Sequence, residues 1–91
     1  MNSKDRIFGL LVTNLDDMFC LKSITNVLDL SRIKYSVTLK NNDNKVEILN
    51  KSSSSNFILT DFKSGELNII SYLDEKIQNT INIKFNKFGR Y

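Results

Sequence analysis

Residues 33–40 alternate between apolar and polar without an error. Ile33, Tyr35, Val37 and Leu39 fall on one side, and Lys34, Ser36, Thr38 and Lys40 on the other. Successive side chains of a strand point to opposite faces, so this octet predicts a strand with one face on a core and one face in water. Residues 80–86 do the same, with Ile81, Ile83 and Phe85 inward and Thr80, Asn82, Lys84 and Asn86 outward. A chain of 91 residues supports a single modest core. Both strands are therefore expected to lie on that one core, in a sheet whose other face is open.

The remaining segments are read around these two strands. Asn41-Asn42-Asp43-Asn44 is a turn cluster, because Asn and Asp tolerate left-handed backbone. It joins 33–40 to a second strand over 45–50, with Val46 and Ile48 inward, as a hairpin. The continuous apolar run 6–13 is too short for a buried helix and predicts a central strand covered on both faces or nearly so. Leu15, Met18, Phe19, Leu21, Ile24, Val27 and Leu28 recur at helical spacing behind Asn14 as N-cap, with Asp16 and Asp17 in a first turn that the helix dipole favours. They predict a helix over about 15–30. Leu67, Ile69, Ile70, Leu73 and Ile77 fall on one arc and favour a second helix over 64–78, capped by Ser64. Read as a strand instead, Leu67 and Ile69 alternate correctly, while Ile70 and Tyr72 break the pattern. Residues 57–60 are expected to add a short strand or to pack as a loop.

The resulting order is strand, helix, strand, strand, helix, strand. It predicts an α+β domain over 1–91, a ferredoxin-like βαββαβ two-layer sandwich with the first and third strands at the centre. If 66–73 pairs as a strand, the expectation becomes one helix packed on a mostly antiparallel sheet. The polar tract Lys51-Ser52-Ser53-Ser54-Ser55-Asn56 is expected to be a flexible loop.

Composition narrows the function. There is no His and only one Cys, Cys20, so the usual groups for acid–base and nucleophilic chemistry near neutral pH are scarce. A soft-metal site with two thiolates would need a second cysteine where Ser23 stands. A phosphate cradle after the first strand would need glycines and an Arg, where the chain has Thr13-Asn14-Leu15-Asp16-Asp17. No catalytic residue, metal or cofactor is assigned. The single Cys excludes an internal disulfide and fits a reducing compartment. No apolar run approaches the length of a membrane span, and the start does not read as a signal peptide, so a cytosolic protein is expected. The net charge of +3 comes from interspersed acids and bases. A nucleic-acid module usually carries a denser basic stripe.

What remains is the open sheet face. Lys34, Ser36, Thr38, Lys40 and Lys84, with Asn42 at the hairpin tip, form the candidate partner-binding set. The first strand is expected to lend the same face an apolar strip, Phe8, Leu10 and Val12 or alternatively Ile7 and Leu11. Apolar surface bordered by Lys and Asn suits a protein interface. The absence of Ala and Pro beside 12 Asn and 10 Lys points to an AT-rich gene. Together with the short length this suggests a virus- or mobile-element-encoded protein. The expected function is a non-enzymatic inhibitor of a host defence or nucleic-acid-processing complex, of the anti-CRISPR kind, acting by surface occlusion on a host protein or nucleoprotein. A small nucleic-acid-binding regulator is the alternative.

Overall fold

The structure is a computed structural model and describes residues 5–42, 44–59 and 64–86. Asp43, and Phe88 to Tyr91 of the tail, lie outside the described residues. Among the described residues seven strands make two antiparallel sheets: β1 (Ile7–Leu15), β2 (Met18–Thr25), β3 (Ile33–Asn41), β4 (Asn44–Ser52), β5 (Asn56–Ile58), β6 (Ser64–Leu73) and β7 (Lys76–Asn86). One sheet has the order β1-β2-β5 and the other β4-β3-β6-β7. The only helical turn among the described residues is a 3₁₀ turn, Leu30–Arg32, before β3.

The α+β expectation is therefore overturned, in both its βαββαβ form and its one-helix form. The hairpin of 33–40 with 45–50 is present as β3–β4, and 80–86 lies within β7. The segment 15–30 is instead the end of β1, a turn, β2 and the 3₁₀ turn. Phe19 and Leu21 of β2 face the core, while Met18 and Ile24 stand exposed on the opposite face. Apolar residues on both faces of a strand erase the period of two, and their positions then mimic a helical arc. Asn14 does not cap a helix. Its side-chain amide donates to the Asp16 carbonyl at 2.9 Å, bracing a tight turn in which Asp16 takes a φ of 55°. Short polar side chains serve either purpose, which is why the same residues suited both readings.

The segment 64–78 fails as a helix for a related reason. Leu67, Ile69 and Leu73 are buried, and Ser71 lies among them with no exposure. Its hydroxyl donates to Asn79 Oδ1 at 2.8 Å, which satisfies the buried polar group. Ile70 and Tyr72 point outward beside Ser36 and Lys34 of β3. The turn between β6 and β7 is Asp74-Glu75, with φ of 51° and 71°. Two successive positive φ values match the hairpin-favouring twist, but the dipeptide lacks the glycine that normally marks it.

One core serves both sheets. Val37, Leu39, Leu67 and Ile69 of the larger sheet are fully buried, and Phe19, Leu21 and Phe57 of the smaller sheet join the same cluster. The rings of Phe19 and Phe57 stack across β2 and β5 with centroids 5.1 Å apart and planes 5° apart. Polar links join the sheets at their margins. The Ile7 amide donates to Gln78 Oε1 at 3.1 Å, and Ser23 Oγ and the Tyr35 hydroxyl lie 2.5 Å apart. Within the smaller sheet, the Leu21 amide donates to the carbonyl of Ser55, the residue before β5, at 2.8 Å. The Ser tract is thus bounded by β4 and β5 and touches β2. β1 is not a central strand of one sheet but the edge of the smaller one.

Arg32 ties three segments together. Its guanidinium donates to Asp74 through Nε at 3.0 Å and Nη2 at 2.6 Å, and to Asp5 through Nη1 at 2.8 Å. The bidentate pair holds the Asp74 carboxyl below its ordinary value of 3.8. A carboxyl whose folded value is depressed adds stability above the unfolded value, and that stability is lost as pH falls through the folded value. Thermal melts between about pH 5 and about pH 2 should therefore show an acid-side drop that Asp74→Asn reduces. An identical drop in the variant would place the acid sensitivity elsewhere.

Candidate partner-binding face

The register of the larger sheet assembles its outer face in rows. Lys34 lies opposite Tyr72, Ser36 opposite Ile70, Thr38 opposite Asn68, and Lys40 opposite Glu66. β7 continues two of these rows, with Asn82 opposite Asn68 and Lys84 opposite Glu66. β4 adds Lys45 opposite Lys40 and Glu47 opposite Thr38. A row Lys45–Lys40–Glu66–Lys84 thus crosses all four strands, with three ammonium groups and one carboxylate. The next row carries amides, and Asn68 Nδ2 donates to Asn82 Oδ1 at 2.6 Å. Between the two rows lies a shallow open depression of about 330 Å³, lined by Thr38, Lys40, Lys45, Glu66, Asn68 and Asn82.

Five of the six expected partner-binding residues therefore share one face. Thr38 and Lys40 line the depression and Lys84 borders it. Lys34 stands at the far end of β3, about 20 Å from Lys40 at the usual rise of a strand. Asn42 lies in the β3–β4 turn with φ 56°, exposed beyond the end of the face. Ser36 also has a structural duty. Its Oγ accepts the Lys51 amide at 2.9 Å, where β4 bulges and Lys51 takes a φ of 49°. The Lys51 ammonium sits 5.2 Å from the centre of the Tyr72 ring and 3.6 Å from Glu75 Oε1.

Glu66 and Asn68 did not emerge from the sequence as site residues, because 64–78 read as a helix. Their alternation with Leu67 and Ile69 was the available signal. The expected apolar strip is absent from this face. Leu10 and Val12 pack against the core, and Phe8 and Leu11 are exposed on the other sheet. Most of the exposed apolar residues of the smaller sheet thus lie on a different face from the lysine row, although Ile70 and Tyr72 share the lysine face and Lys22 the apolar one.

A second cavity, about 400 Å³, opens where the sheets meet and is lined chiefly by Leu21, Ser23, Leu30, Ile33 and Tyr35. Among the described residues no group of three or more His, Cys, Asp or Glu gathers to hold a metal ion. Cys20 is half-buried on β2 between Thr13 and Asn56. Among the same residues no helix is long and apolar enough to cross a membrane. No known protein family, curated protein or solved structure matches this chain. The class it defines is that of a small, nearly all-β protein with two antiparallel sheets and one polar, lysine-bordered sheet face.

Proposed function

We propose that this chain is a non-enzymatic interaction protein that occludes a surface of a protein or nucleoprotein complex through the outer face of its larger sheet. The observation that carries the reading is the row of Lys45, Lys40 and Lys84 around Glu66, beside the Thr38 hydroxyl and the paired Asn68 and Asn82 amides on a four-stranded sheet. The backbone of paired strands is already ordered, so the ordering cost of binding falls mainly on the lysine side chains. A surplus of ammonium groups favours an acidic partner and raises its rate of encounter. A host defence complex is the proposed target class because the absence of Ala and Pro beside 12 Asn and 10 Lys suits a virus- or mobile-element-borne gene.

The test is capture of a partner from a host lysate with the wild-type chain, followed by the variant Lys34→Gln/Lys40→Gln/Lys84→Gln. Neutralisation avoids setting new carboxylates opposite Glu66. The thermal midpoint should stay nearly constant, since exposed substitutions shift stability by less than about 0.5 kcal/mol each. Affinity for the captured partner should fall about tenfold or more at low salt. Unchanged affinity would remove this face from the interface. If the partner is a nucleic acid, log affinity should fall with log salt at about −0.9 per phosphate contact on duplex DNA, and the triple variant should flatten that slope.

A further inference from the structure

The outer face of the smaller sheet has the opposite character to the lysine face. Leu11, Leu15, Met18, Ile24 and Ile58 stand on it with exposures of 49%, 78%, 45%, 48% and 59%. Phe8, at the β1 bulge beside them, is 54% exposed. By register they form two groups on one face, on either side of the Thr13–Cys20–Asn56 row. Leu15 pairs with Met18, Met18 pairs with Ile58, and Ile24 lies over Gly9, its Cδ1 3.6 Å from where a Cβ would stand. At about 200 Å² for a fully exposed large apolar residue, the five strand residues leave roughly 560 Å² bare. That lies at the upper end of the roughly 300–600 Å² of the largest patch on a typical monomer. Lys22 stands on the face opposite Leu11, and at its margin the Arg6 guanidinium lies 5.0 Å from the centre of the Phe8 ring. The long Lys22 stem can lie along apolar surface with the ammonium at the rim.

β1 supplies an independent argument. Its apolar run is that of a strand covered on both faces. Leu10 and Val12 use one side of that run in the core, while Leu11 and Leu15 leave the other bare. The lysine face of the same molecule shows what a solvated sheet face looks like in this chain.

We infer that this face is covered by the same face of a second copy, in a two-fold symmetric dimer. A self-complementary apolar patch is what an isologous interface requires. The bare apolar area of roughly 560 Å², together with Thr13, Cys20, Asn56 and the Lys22 stem on the same face, approaches the about 800 Å² per partner of a stable complex. The small net charge of +3 on each copy opposes association only weakly. The lysine face stays free on both outer sides, so the inference stands apart from the proposed function.

The test is sedimentation of the full chain over a concentration series from about 1 to 200 µM, a range suited to an interface of this size. The wild type should move from the monomer mass of 10.5 kDa to twice that value. Leu11→Glu/Ile58→Glu should raise the dissociation constant about 30-fold or more, because each carboxylate would lose its water on association. Both positions are exposed, and a native thermal melt checks that the variant folds. Cys20, in the middle of the face, gives a second readout on the unmodified protein. Its alkylation by N-ethylmaleimide should slow in step with the dimer fraction. The lysine-face triple variant should dimerise normally. A wild type that remains monomeric at the highest concentration, or a dimer that Leu11→Glu/Ile58→Glu leaves intact with Cys20 fully reactive, would overturn the inference.

Discussion

Leu67→Ala is expected to cost about 2–5 kcal/mol, the range for truncating a buried leucine. Leu67 has no exposed surface and pairs with Leu39 on one side and Ile83 on the other, at the centre of the larger sheet. The walls of its cavity would be paired strands on both sides, which resist collapse into the space. A domain of this size has a total stability near the low end of about 5–15 kcal/mol. Urea melts should therefore show a midpoint shifted strongly downward, with a large unfolded fraction at 37 °C. A shift below about 1 kcal/mol would mean that the two sheets do not share the core described above.

Phe57→Ala is expected to be as damaging, at about 3–5 kcal/mol, for a different reason. β5 has three residues, and Phe57 is its buried one, stacked on Phe19. So short a strand adds few ladder bonds, and its position rests on that ring. Losing the ring should free β5 from β2 and open that side of the core to water. Hydrogen exchange offers a check at residue resolution. The amides of Leu21 and Leu59, which donate to the Ser55 and Asp17 carbonyls at 2.8 and 2.9 Å, should lose protection before those of β3 and β6. Equal loss across both sheets would show that β5 unfolds only with the whole domain. Phe57→Leu should recover part of the stability by refilling the core without the stack.

The elements that sequence patterning located correctly are those with one wet face. β3 and the outer half of β7 alternate because water covers Lys34, Thr38, Lys40, Asn82 and Lys84, and the hairpin β3–β4 follows from the Asn-rich turn. Patterning went astray where the non-core face is apolar or mixed. Met18 and Ile24 on β2, and Ile70 and Tyr72 on β6, each add apolar residues at odd positions. A linear pattern cannot separate an apolar residue facing the core from one facing outward. The candidate site inherited the same split. Its β3 and β7 residues were visible, but Glu66 and Asn68 were hidden in a segment read as helix.

By itself, then, the sequence determined a single small core, the strand character of 33–40 and 80–86, the facing of 33–40 and 80–84, and the polar face those strands present. Period and polarity are local properties, and water enforces them directly on a half-exposed strand. Only the tertiary structure decided that 15–30 and 64–78 are extended, that the strands divide into two sheets, and that β1 sits at an edge with one side bare. Those outcomes depend on pairing between distant residues, such as Leu39 with Leu67 and Phe19 with Phe57. Ladder bonds and core burial gained across such separations override local helical spacing, because secondary structure in so small a domain is stabilised mainly by the packing it enables.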